Sequence, residues 1–198
     1  MLFGNQCGLD LNKRDRMSSQ ELVKLQTKRL VLYSLSREQL DMALNHLDQL
    51  AEVLQIHISP DVFSEESRQA MMIKISRMDH VDRRLHPWYT YFLMVQADTQ
   101  EAIGVCGFKG TPSLYGWVEL GYAIQEAFRN QGFMTETVQA LIEWAFRFDS
   151  CLRVTAETLA NNYASQHVLQ KAGLTIERKT DSMIYWKIDK KDYFQSRV

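Results

Sequence analysis

One stretch of this 198-residue chain carries residue types in an order that could do chemistry. Trp117-Val118-Glu119-Leu120-Gly121-Tyr122-Ala123-Ile124 reads as a strand, and Gln125 to Phe128 as a short polar turn. Arg129-Asn130-Gln131-Gly132-Phe133-Met134-Thr135-Glu136 then opens an amphipathic helix. A strand that feeds a helix through a turn holding an arginine and a glycine can seat an anion. The first turn of a helix has N–H groups without partners, and the aligned peptide dipoles add partial positive charge there. Gly132 lets a phosphate approach the backbone where a Cβ would stand in the way. Arg129 can add a charge-assisted bond. A plainer reading also fits, in which Gly132 only begins a structural helix. Two familiar phosphate motifs are excluded, because no Gly-Lys-Ser/Thr follows and no GxGxxG is present.

The rest of the chain supplies elements to position that turn. Residues 1–25 are polar and without sustained period, which predicts a loosely ordered extension ahead of one domain over 26–198. A strand is expected over 29–35. Ser36 and Gln39 then form a capping box for a helix carrying Leu40, Ala43, Leu44 and Leu47. Residues 56–63, broken by Pro60, read as a loop before a helix from Ser64 with Met71, Ile75 and Met78 on one face. The period then changes to two, predicting strands over 89–96, 102–109 and 117–124 with short turns between them. A helix over 135–148, a strand over 152–157, a helix over 165–172 ended by Gly173, and strands over 175–179 and 183–188 complete the order β-α-α-β-β-β-α-β-α-β-β. The expected fold class is α/β, with a mixed, mainly antiparallel central sheet and helices on both faces.

Bulk properties narrow the function classes. A formal net charge of −1 gives no reason to expect nucleic acid or an anionic membrane as partner. Apolar runs are too interrupted to span a bilayer, and the start lacks the pattern of a secretory signal. The scattered Cys7, Cys106 and Cys151 suit a reducing cytoplasm better than a disulfide framework. The five histidines show no i, i+4 pair and no neighbouring CxxC, so no metal site is expected.

The residues from Glu119 to Phe146 resemble the acetyl-CoA-binding segment of the GNAT acetyltransferases, whose signature is Arg or Gln, two residues, Gly, one residue, then Gly or Ala. Arg129 and Gly132 fill the first two places, and Met134 departs from the small residue usual in the third. A second match runs from Asn162-Tyr163-Ala164-Ser165 to Val168-Leu169-Gln170-Lys171-Ala172-Gly173-Leu174, similar to the family's helix ending in Lys-x-Gly-Phe. A third, Thr27-Lys28-Arg29-Leu30-Val31-Leu32, resembles the opening strand of the subgroup holding the ribosomal-protein N-terminal alanine and serine acetyltransferases. The resemblance covers residues 26–188 in the family's order and implies the acyl-CoA N-acyltransferase fold.

It also implies roles. The strand before the turn would part from the strand after it, and the pantetheine arm would pair with the edge formed by Leu120, Gly121, Tyr122, Ala123 and Ile124. Residues Arg129, Asn130, Gln131, Gly132, Phe133, Met134 and Thr135 would hold the pyrophosphate, with the Met134 side chain turned away. Asn162 would bond the arm and Ser165 would sit near the sulfur, although capping and solvation are competing accounts of these two. Glu119 shares the strand face of Gly121 and Ala123 and is the candidate base, against a structural ion pair as the alternative. The family's usual tyrosine acid is replaced by Leu169, which leaves Ser165 or water to protonate the thiolate. A covalent cysteine route is not expected from Cys106 or Cys151. The expected activity is acetyl transfer from acetyl-CoA to a primary amine, a protein N-terminus or a small molecule, by a monomer or homodimer without metal. A non-catalytic acyl-CoA-binding module and a binder of some other phosphate compound are the alternatives. Aromatics in 86–91 and 114–117 could wall an acceptor pocket or belong to the core.

Overall fold

The computed structural model describes residues 22–195. Residues 1–21, with Cys7 and most of the expected extension, lie outside that range. The chain runs β1 (Lys24–Gln26), β2 (Leu30–Ser34), α1 (Arg37–Asn45), α2 (Leu47–Leu54), β3 (His57–Ile58), α3 (Glu65–Met78), α4 (His86–Tyr89) and β4 (Phe92–Gln96). It continues through β5 (Glu101–Phe108), β6 (Trp117–Ile124), α5 (Phe133–Phe146), β7 (Arg153–Leu159), α6 (Tyr163–Lys171), β8 (Thr175–Lys179), β9 (Met183–Asp189) and α7 (Lys190–Gln195).

Ser36 caps α1 as its spacing to Gln39 suggests: its Oγ accepts from the Gln39 N–H at 3.1 Å, and its own N–H donates to Gln39 Oε1 at 2.8 Å. The helix stops at His46, whose φ of −145° and ψ of 56° break the ladder, and α2 begins at Leu47. The segment expected as a loop after α2 contains β3, which pairs with the start of β5. The strand expected over 89–96 begins only at Phe92. Residues 86–89 coil into one helical turn with Pro87 at its start.

The sheet order is β1-β2-β4-β5-β6-β7-β9-β8, with β3 beside β5. Along that path every pairing is antiparallel except β6 with β7. Period-two alternation sends successive side chains to two cores. Phe92 and Met94 of β4 join Val138, Leu141 and Leu169 on the α5–α6 face, whereas Leu93 and Val95 join Leu40, Leu50, Met71 and Met78 on the α1–α3 face. The fold is therefore a mixed, mainly antiparallel sheet with helices on both faces. Trp88 lies in the first core, its ring centroid 4.6 Å from Trp144 and 5.1 Å from Phe108.

Candidate active site

The break in the sheet is the feature that organises the site. β6 pairs with β7 only at Trp117–Arg153, Val118–Val154 and Glu119–Thr155. Beyond that point β6 stays bound to β5 through residues 120–124, and β7 stays bound to β9 through Leu159. The two strands part, and the β7-facing edge of residues 120–124 has no ladder. Gly121 sits at the start of the opening, where a Cβ would meet nothing within 4 Å.

The turn after β6 leads to α5. Asn130 and Gly132 both hold left-handed backbone, at φ 61° and 81°, a region that glycine enters without strain. Ser36, Ser64 and Asn162 cap α1, α3 and α6 with side-chain oxygens, but α5 has no side-chain cap. The N–H groups of its first turn, which have no carbonyl one turn earlier to meet, are left for an outside acceptor. Met134 is 5% exposed and packs in the core, so its bulk points away from the turn while its amide stays in it. Phe133 is buried likewise. Arg129 is exposed, and no ion pair holds its guanidinium among the described residues.

Across the opening stands the start of α6. Asn162 Oδ1 accepts from the Ser165 N–H at 3.1 Å, the helix-capping bond, and its amide N–H groups are left over. Tyr122, on β6, donates its hydroxyl to the Ser165 carbonyl at 3.2 Å and so spans the gap. Burial pushes this phenol up to about 12, with the Ser165 bond opposing only in part, so it stays protonated. Leu169 is fully buried as a core residue.

Glu119 faces the opposite side, toward α3, in line with Gly121 and Ala123. Its carboxylate forms an ion pair with Lys109 Nζ, and its carbonyl accepts from the Lys109 N–H at 2.9 Å. Lys109 also lines a cleft of about 580 Å³ with Ser76, Arg77, His80, Tyr89 and Thr111. The aromatics of 86–91 and 114–117 thus divide: Trp88 is core, Tyr89 borders the cleft, and Tyr115 and Trp117 are exposed. The buried Lys74 of α3 donates to the Phe108 carbonyl at 2.6 Å and the Thr90 carbonyl at 3.2 Å.

Burial, aided by the Arg77 charge, pulls the Lys74 ammonium from 10.5 down to about 7. The unfolded chain then binds more protons than the folded one across that window, so this group makes the fold more stable as pH rises through it. Lys74→Met is expected to flatten that rise, read as urea midpoints measured across the same window.

Both described cysteines are buried free thiols, Cys151 raised to about 11 and Cys106 further, chiefly by burial. Neither is a poised nucleophile. Among the described residues no group of three or more His, Cys, Asp or Glu is placed to hold a metal ion. Sequence reasoning missed the Lys109 partner of Glu119, the Tyr122 bridge and the contact of Arg29 with the turn. The first was within reach, since the antiparallel run from β5 to β6 brings residue 109 beside 119.

Residues 29–175 match the acetyltransferase (GNAT) domain family. The uncharacterized N-acetyltransferase YjdG of Bacillus subtilis (strain 168) is 33% identical over 95 residues, which span 48% of this chain and 56% of that relative. The uncharacterized N-acetyltransferase p20 of Bacillus licheniformis is 28% identical over 155 residues, 76% of this chain and 84% of its own. The solved structure of the RimL ribosomal L7/L12 alpha-N-protein acetyltransferase in complex with coenzyme A superposes with a TM-score of 0.59 at 19% identity, over 84% of this chain and 98% of that one. At that identity the likeness shows a shared fold.

Proposed function

The chain belongs to the GNAT acetyltransferase family, and from that premise we propose that it transfers an acetyl group from acetyl-CoA to a primary amine by direct attack in a ternary complex. The acceptor is a peptide N-terminus or a small-molecule amine. The observation that carries this reading is the parting of β6 from β7 at the Glu119–Thr155 pair, with the uncapped start of α5 at the far end of the opening.

The residues present fit the coenzyme. The free edge of Leu120, Gly121, Tyr122, Ala123 and Ile124 can pair with the amides of the pantetheine arm as with an added strand. Asn162 has amide N–H groups to give the arm. The turn from Arg129 through Asn130, Gln131 and Gly132 to Phe133, Met134 and Thr135 offers backbone N–H groups and the Arg129 guanidinium to the pyrophosphate. Acetyl-CoA supplies the activated acyl group when bound.

This chain's own side chains then handle two protons. Glu119 takes one from the acceptor ammonium, directly or through a water, and frees the nitrogen lone pair for attack on the thioester carbonyl. Its partner Lys109 is itself an ammonium, so the carboxylate is already disposed to hold such a group. An amine entering by the cleft beside Lys109 would replace it. Ser165, on the α6 side of the sheet, gives its hydroxyl proton to the thiolate as the C–S bond breaks and recovers one, directly or through a water, from the nitrogen that has become the amide; Tyr122 holds the Ser165 backbone in place.

A second reading, an acyl-CoA-binding module without turnover, is favoured by one fact: Leu169 leaves no phenol on that turn of α6. The test is incubation with acetyl-CoA and a panel of amines and N-terminal peptides. Thiol release supports the enzyme, coenzyme binding without release supports the module, and absence of binding sinks both. We place the protein in the cytoplasm from the two buried free thiols among the described residues, and read it as a monomer or homodimer. No described helix is long and apolar enough to cross a membrane.

A further inference from the structure

The motif Thr27-Lys28-Arg29-Leu30 takes no part in the transfer described above, yet two of its side chains, Thr27 and Arg29, end on the anion seat. Glu136, in the first turn of α5, accepts from the Thr27 hydroxyl, from the Arg29 backbone N–H at 2.8 Å and from Arg29 Nε at 2.8 Å. The same guanidinium donates through Nη1 to the Gln131 carbonyl at 3.0 Å and lies 4.3 Å over the Phe133 ring. Its remaining nitrogen, Nη2, stands 3.5 Å from the point where a Cβ on Gly132 would be, and nothing else outside the chain neighbours comes within 4 Å of that point. One planar group therefore touches the turn at 131, 133 and 136 and stands beside Gly132.

Two physical effects follow. A carboxylate in the first turn of a helix suits the helix alone but repels a phosphate brought to the same place. Burial pushes the Glu136 carboxyl up, but the bonds from Thr27 and Arg29 outweigh it and hold the group below the usual carboxylate range. Its charge is thus permanent at neutral pH and is met by the adjacent guanidinium. In addition, a fork that holds a carboxylate and a carbonyl at once fixes the turn between them before any ligand arrives, which removes an ordering cost from binding.

We propose that Arg29 is a pyrophosphate-binding and positioning residue: Nε and Nη1 hold the turn through Glu136 and Gln131, and Nη2 donates to a coenzyme phosphate seated beside Gly132. This rests on the acetyl-CoA reading above. It gives the bend between β1 and β2, far from α5 in sequence, a direct part in coenzyme recognition.

The experiment compares acetyl-CoA with S-acetylpantetheine, which keeps the thioester and the arm but has no pyrophosphate. For Arg29→Gln, KM for acetyl-CoA is expected to rise about tenfold with kcat nearly held, the loss of one strong contact, while kcat/KM for S-acetylpantetheine is unchanged. Arg29→Lys keeps the charge without the planar fork and should show the same selectivity to a smaller degree. It also serves if the glutamine variant does not fold. Equal losses on both donors would reduce Arg29 to a support of the fold, and an unchanged KM for acetyl-CoA would overturn the proposal outright. Failure of the underlying reading looks different: the unmodified protein would then use both donors equally well, or release thiol from neither.

Discussion

Replacing Glu119 by glutamine is expected to lower turnover by about a hundredfold or more, the scale of a positioned general base, with coenzyme affinity nearly intact. The amide keeps the size and shape of the side chain and cannot take the ammonium proton. Coenzyme affinity should hold because Glu119 lies at the last paired rung of β6 and β7, before the edge that would meet the pantetheine arm begins. The loss should be larger for a lysine-like acceptor, with a pKa of about 10.4, than for a peptide N-terminus near about 7.7–8.0, which is partly neutral already. The variant also strips Lys109 of its ion-pair partner; with the lysine exposed and the glutamate half-buried, the pair's contribution to stability is small. Steady-state rates across pH for both acceptors, with affinity by calorimetry, provide the check. Wild-type turnover with an unaltered pH profile would make Glu119 the structural partner of Lys109.

Gly132→Val should abolish most coenzyme affinity. At φ 81° a β-branched residue is strained by roughly 1–2 kcal/mol, and the cheapest relief is to turn the peptides on either side. Those peptides carry the N–H groups at the start of α5. Losing two charge-assisted bonds of about 1.5 kcal/mol each weakens binding roughly a hundredfold. The space itself is open apart from Arg29, so the variant should fold with a melting temperature only a few degrees lower. Calorimetry with coenzyme A, after a melt shows a folded protein, decides the matter. Unchanged affinity in a folded variant would mean that the phosphates bind elsewhere.

The elements that hold the site were legible where a hydrophobic period runs for several residues. The strand read over 117–124 is β6 with those bounds, and α5 and α6 begin two residues earlier than expected. Met134 shows how a departure from a pattern resolves in three dimensions, because helical spacing sends its side chain into the core. Short or composite features escaped. A two-residue strand such as β3 has no period to read, and the break at His46 leaves the apolar spacing of α1 and α2 continuous. Side-chain partners escaped for another reason. Periodicity tells which face a residue takes, not which residue faces it, and the Arg29–Glu136 contact joins positions 107 apart. Asn162 shows the limit from the other side: its capping bond is there, and the same residue keeps N–H groups for a second use.

Where β6 and β7 separate, two strands from the middle of a sheet acquire the kind of free edge that ordinarily belongs only to its margins. Such an edge invites any extended chain, including another molecule of the same protein. A coenzyme arm laid along it would remove that hazard while serving as a reactant. Supply and durability are then linked, since a ligand held only by the folded state adds about 2.7 kcal/mol at a hundred times its dissociation constant. Were the coenzyme to bind as proposed, stripping it from the protein would reopen the seam with every catalytic residue unchanged.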